Sequence, residues 1–270
     1  MKKLLVITLM ASFSAMVLAQ GSPISVTGFT QDVIANGTNV GNGNKTSADA
    51  TTTTTADSVF VFYNQGYIGN NDGSGLPNNG AITSLYDGTK FQLASYSANN
   101  DLMLFTSGES DPITGDSQTS GALTLGTAAA YSSLQFLVGG YNGAQNGSYT
   151  INFAGGTTSS GTFTVPDNFN SSANIAYKIG GRLQRSNGAE DFHGVGGPPN
   201  LDQVNLTLNS TDSSKLIDSV TFSNTGVGGS GFNVIGVYAM SGTPEAVPTP
   251  AMLLPFGLGA LVLLNRKRRI

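Results

Sequence analysis

The chain has 270 residues, 12 Lys+Arg against 16 Asp+Glu, one histidine, no cysteine and no tryptophan. The missing cysteines exclude disulfides, thiol catalysis, Cys-ligated zinc and Fe–S clusters. Six of the cations (Lys2, Lys3, Arg266, Lys267, Arg268, Arg269) sit at the two ends. The stretch between keeps six cations against all 16 acids, a charge of about −10 that excludes nucleic acid and anionic lipid as partners.

Lys2 and Lys3 followed by the apolar Leu4 to Leu18 and the small-residue site Val17-Leu18-Ala19 predict a secretory signal peptide cleaved after Ala19. The expected partners there are the Sec machinery and signal peptidase. Short apolar pieces at Ile24–Val26 and Val33–Ala35 predict an opening strand or hairpin. Asn36 to Asp57 is a polar Asn/Gly/Thr tract including Thr51 to Thr55, which has too little apolar surface to bury. It predicts an exposed or disordered insert. The threonines read either as low complexity, the preferred reading, or as sites for O-linked sugar.

From Val59 onward short β-type runs alternate with Gly, Asn, Asp and Ser: Val59–Tyr63, Phe91–Ser95, Leu102–Phe105, Ala122–Leu125, Leu134–Val138, Tyr149–Phe153, Thr162–Val165, Ala176–Ile179, Val204–Leu208, Val220–Phe222 and Val234–Tyr238. Tyr149, Ile151 and Phe153 alternate with Thr150 and Asn152, and Val204, Leu206 and Leu208 alternate with Asn205 and Thr207, the period of half-buried strands. Val59–Phe62 and Leu102–Phe105 are apolar at every position and predict central strands. No stretch of the body keeps a helical period for three turns. The predicted class is all-β, a two-sheet β-sandwich of jelly-roll type, with a closed barrel as the rival.

The candidates for chemistry are few. His193, in the Gly/Pro-rich loop Asp191 to Pro199, has no nucleophile elbow and no second histidine, so a catalytic triad is disfavoured. Glu190 and Asp191 are adjacent, which on a strand turns them to opposite faces and disfavours glycosidase chemistry. The chain is therefore expected not to be an enzyme. Asn70-Asn71-Asp72-Gly73-Ser74 and Asp111 to Asp116 offer the oxygens that calcium takes, without EF-hand spacing. Both are equally the usual turn formers, and turns are the preferred reading, so no cofactor is expected and calcium is the one candidate. For sugar binding the candidates are Tyr67, Tyr86, Tyr96, Tyr131 and Tyr141, in or beside predicted loops, with Arg182, Arg185 and Asn187 as polar partners. The other reading of these tyrosines is edge capping, with their hydroxyls in water.

The tail divides into three parts. Val247-Pro248-Thr249-Pro250-Ala251 is followed by an apolar run from Ala251 to Leu264, then by Arg266, Lys267, Arg268 and Arg269. As a helix the apolar run spans about 21 Å, short of the roughly 30 Å of bilayer hydrocarbon, and Pro255 weakens it. It predicts a short, transient membrane segment with the basic end held on the cytoplasmic side. This tail resembles the PEP-CTERM class of bacterial sorting tails, in the variant reading Pro-Thr-Pro-Ala, with Thr249 where the commonest form has Glu. The resemblance implies a removable address read by a membrane-embedded protease, an exosortase.

The body carries a resemblance too. Phe91 to Tyr96 with Asn99 to Leu102, Tyr149 to Thr158, Val165 to Phe169 and Val234 to Gly242 are similar to stretches of β-sandwich domains found ahead of such tails, with Asn168 in place of an expected tryptophan. That implies a fold and a destination. The domains expected are 1–19 signal peptide, 20–57 opening strands and polar loop, 58–243 sandwich and 244–270 sorting tail. The expected function is that of an exported surface or extracellular-matrix structural protein associated with exopolysaccharide, passing through an inner-membrane intermediate. The alternative is a carbohydrate-binding module, calcium-stabilised or not.

Overall fold

The structure, a computed structural model, describes residues 20–37, 49–50, 59–67, 73–170, 172–184, 190–191, 199–226 and 233–245. Among the described residues every regular element is a strand. The first eight strands are short: β1 (Ser22–Ile24), β2 (Val26–Thr27), β3 (Ile34–Ala35), β4 (Asp49–Ala50), β5 (Val59–Tyr63), β6 (Ala81–Thr83), β7 (Lys90–Gln92) and β8 (Leu102–Phe105). Four longer ones follow, β9 (Ser120–Ala129), β10 (Tyr131–Tyr141), β11 (Gln145–Phe153) and β12 (Thr158–Val165). The last are β13 (Ile175–Lys178), β14 (Arg182–Gln184), β15 (Glu190–Asp191), β16 (Asn200–Thr207), β17 (Ile217–Asn224) and β18 (Val234–Pro244).

The strands form packed sheets. The first sheet runs β1-β18-β10-β16-β13, with β8 also on β18; the second runs β12-β11-β17-β9-β2. A third, smaller sheet runs β15-β14-β5-β3 with β4 on β5, and β6 pairs β7 as a separate hairpin. From β9 to β13 the chain steps between the first two sheets; β14 and β15 then join the third, and β16, β17 and β18 step between the first two again. β11 and β12 stay together as a hairpin in register from Gln145↔Val165 to Asn152↔Thr158, closed by Ala154 to Thr157 with Gly156 at φ 79°. That left-handed conformation is one glycine adopts without penalty.

The first sheet is covered on both faces. On β10, Leu134, Phe136 and Val138 enter the core shared with the second sheet, while Leu137 and Tyr141 enter a separate core shared with the third sheet and the hairpin. Period 2 alone produces that division. On β18 a register shift opposite Leu137 and Val138 leaves Tyr238 as an extra residue, and Tyr238 and Ala239 then lie on the same face. This is the effect of a β-bulge, in which two residues oppose one. Gly236 lies close by; a Cβ there would be 2.9 Å from both the Asp101 carboxylate and the Tyr238 hydroxyl.

Layering also revises one expectation. Leu102–Phe105 is apolar at every position and fully buried, as a central strand should be, yet among the described residues it pairs only with β18. Its burial comes from the layers above and below rather than from strands on both sides: Leu102 and Leu104 face one core, Met103 and Phe105 the other. Val59–Tyr63 is central in both senses, with β3, β4 and β14 as neighbours. The predicted strand Phe91–Ser95 ends early, at Gln92, and its continuation is a wall of the site described next.

The signal peptide with Ala19 and the sorting tail with Val247, Pro248, Thr249, Pro250, Ala251, Arg266, Lys267, Arg268 and Arg269 lie outside the described residues.

Candidate functional site

Three clefts lie in series along one side of the body, neighbours sharing lining residues. The first, about 370 Å³, is lined by Phe29, Thr30, Asn99, Asp116, Ser117 and Gln118. The second, about 250 Å³, shares Phe29 with it and adds Pro23 to Val26 and Gln92 to Ala94. The third, about 360 Å³, shares Gln92 to Ala94 with the second and adds Asn36, Asn64, Asn78, Asn79, Gly80 and Ser95 to Ser97. One long wall is therefore the segment 92–99 and the other the segment 23–36.

The 92–99 wall is irregular beyond Gln92, the 23–36 wall is β1, β2 and β3 with irregular chain between them, and asparagines hold the two together. Asn36 donates from Nδ2 to the Tyr96 carbonyl (2.9 Å) and the Ser97 hydroxyl (3.2 Å). Asn99 donates to the Thr30 carbonyl (3.0 Å). Buried Asn100 accepts from the Val33 N–H (3.0 Å) and donates to Asp32 Oδ1 (2.7 Å) and the Ala98 carbonyl (3.0 Å). Side-chain amides thus replace the ladder that a strand would supply. Beneath the third cleft, Tyr96 donates to the Pro77 carbonyl (2.7 Å). Burial, and then the neighbouring Tyr177, push its hydroxyl well above the usual phenol range, so it stays a neutral donor.

The lining is neutral. No lysine or arginine is among these residues, and the one carboxylate, Asp116, accepts from Gln31 Nε2 at 2.5 Å. Asn64 Oδ1 is buried without a hydrogen-bond partner. Gln92 donates to the Asn79 (2.8 Å) and Leu93 (3.2 Å) carbonyls. The polar lining is therefore mostly neutral amides and hydroxyls, several of whose donors are engaged within the protein.

Beneath it, polar groups are buried within the otherwise apolar core between the first sheet and the third sheet and hairpin. Tyr141 and Tyr238 share a hydrogen bond between hydroxyls. Asp101 is fully buried and neither carboxylate oxygen has a partner at hydrogen-bonding geometry. Burial raises its pKa well above the ordinary carboxyl value, with the Val237 N–H opposing. Asp202 is raised too, by burial, against a hydrogen bond from the Ser172 hydroxyl. At the tip of the β6–β7 hairpin, burial opposes the charge of Asp87, but hydrogen bonds from Thr89, Gln203 and Asn205 outweigh it and lower the pKa. The Gln203 amide donates to Asp87 Oδ2 at 2.8 Å, tying the hairpin to the first sheet.

Most residues singled out for sugar binding are elsewhere. Tyr67 and Tyr141 are buried in different cores, Tyr96 lies under the third cleft, and Tyr131 packs half-buried against the core between the first two sheets. Tyr86 alone of the five is exposed, at the hairpin tip. No stacking platform of tyrosines exists, because the rings fill the spaces where short strands end. Arg182 is 3 % exposed, its guanidinium 3.7 Å above the Phe60 ring and 4.7 Å from that of Phe169, a structural cation–π stack. Arg185, Asn187 and His193 lie outside the described residues, as do Asn70, Asn71 and Asp72.

Asp111 to Asp116 forms a self-closed turn. Asp111 Oδ1 accepts from the N–H groups of Ile113 (2.7 Å) and Thr114 (2.8 Å), and its own N–H donates to the Asp116 carbonyl (2.7 Å). Among the described residues no three acidic or histidine side chains gather into a metal-binding group. Sequence reasoning missed the clefts because their amides are scattered over Asn36, Asn64, Asn78 and Gln92. The one local signal was the Phe91 to Leu102 stretch, which forms the shared wall. No protein-family model matches the chain, and no curated protein is significantly similar to it.

Proposed function

We propose that this chain is an exported surface or extracellular-matrix structural protein, non-enzymatic, whose jelly-roll-type β-sandwich is delivered by the Sec machinery and signal peptidase. An exosortase-like membrane protease then reads its tail. The observation that carries the reading is the order of features after Glu245: the proline motif at Val247 to Ala251, an apolar run too short for a lasting span, then Arg266 to Arg269. The Ala19 cleavage site at the other end and the acidic, cysteine-free body agree with it.

Intact-mass measurement of the surface fraction tests it. The expected mass is that of a chain lacking residues 1–19 and the basic end. A Pro248→Ala/Pro250→Ala variant should accumulate in the inner membrane. A surface form that still carries Arg266 to Arg269 would overturn the proposal.

A further inference from the structure

We propose that the run of three clefts between segments 23–36 and 92–99 is a binding trough for a linear, uncharged polysaccharide. Three observations favour this ligand class. The clefts are serial, each sharing residues with the next, so they suit a chain-like molecule lying along the wall. Each is near the lower end of the volumes that enclose small molecules. Their lining holds no cation, and its single carboxylate is already bonded to Gln31, so nothing in it attracts a polyanion or a phosphate. The cleft lining is rich in amide and hydroxyl side chains, and sugar hydroxyls both donate and accept as amides do.

The middle cleft supplies the apolar part of the fit. Phe29 is half-buried, packed against the core on one side and lining two clefts on the other. The electron-rich face of such a ring attracts the C–H face of a pyranose.

The test is affinity electrophoresis of the full-length chain in detergent, through gels containing dextran, mannan or hydroxyethylcellulose, with alginate as the acidic comparison. At least one neutral polymer should retard the protein, undiminished by added salt. An Asn78→Ala/Gln92→Ala variant should weaken retardation at least about tenfold. Both side chains are exposed, so its melting temperature should not move. Phe29→Leu, which keeps an apolar side chain toward the core, should weaken it similarly. Leu216→Ala, in the separate hollow beside Phe153, should bind as the parent does. No retardation by any neutral polymer, preference for alginate, or unchanged binding by both trough variants would overturn the inference. The result is independent of export, since a chain that is never sorted would still bind.

Discussion

The first sheet is covered on its two faces by different means. Toward the second sheet the cover is made of long strands, eight to ten residues each in β9, β11, β12 and β17, and the core between is aliphatic and aromatic. Phe222 stands edge-on to Phe136 at 4.9 Å and to Phe163 at 6.3 Å. Toward the third sheet and the hairpin the cover is made of strands of two to five residues, and polar groups are buried with it: Asp101, Gln203, Ser241 and the Tyr141–Tyr238 pair. Short strands bring few ladder bonds, so side chains such as Asn100 take over the task. One face is stabilised by area removed from water, the other in larger part by individual hydrogen bonds whose loss leaves buried groups unsatisfied. The third cleft borders the second kind of face, through Leu93 and Tyr96, while the middle one is backed by Ile24, Val26 and Phe29 of the core toward the second sheet.

Four substitutions sharpen or break this contrast. The largest effect belongs to Phe222→Ala, which should cost about 3–5 kcal/mol in equilibrium denaturation by leaving a cavity between the Phe136 and Phe163 rings. Next is Asn100→Ala, expected to cost about 1–3 kcal/mol through the orphaned Val33 N–H. Amide exchange should quicken around Val33 and the 92–99 wall while β11 and β17 stay protected. If Asn100→Ala cost as much as Phe222→Ala and opened both regions together, the two faces would not differ as described.

A third change should stabilise. The folded state holds the Asp101 proton above its ordinary value of 3.8, whereas the unfolded chain releases it there. Stability attributable to this group therefore falls as pH rises above about 3.8 and goes on falling up to the raised folded value. Asp101→Asn removes the ionisation, so its melting temperature at pH 7 should exceed that of the parent by a few degrees, and the gain should vanish near pH 3. A gain that did not change with pH would assign the effect to packing instead. The smallest effect is for Tyr86→Ser: that ring is 46 % exposed, and thermal denaturation should register within about 0.5 kcal/mol of the parent.

The strands were legible to the degree that they are regular. Tyr149–Phe153 alternates in sequence and in the fold, with Ile151 and Phe153 buried. Leu102–Phe105 and Val59–Tyr63 are strands with the bounds their apolar runs imply. The clefts were legible only as a stretch, Phe91 to Leu102, that forms one of their walls. The tyrosines were ambiguous because a tyrosine beside a turn has the same local sequence whether its ring points to solvent, as Tyr86 does, or into a core, as Tyr141 does.

The all-β class, the rhythm of buried and exposed positions along each long strand, and the acidic, cysteine-free composition follow from the order of residues alone, because a period of two and a charge count are local properties. Which faces became cores, that Asp101 is fully buried, and that Asn36, Asn64, Asn78 and Gln92 line one groove are set by how the layers stack. Those outcomes rest on contacts such as Asn100 with Val33, 67 residues apart, and on how layers stack. No window of neighbouring residues encodes them.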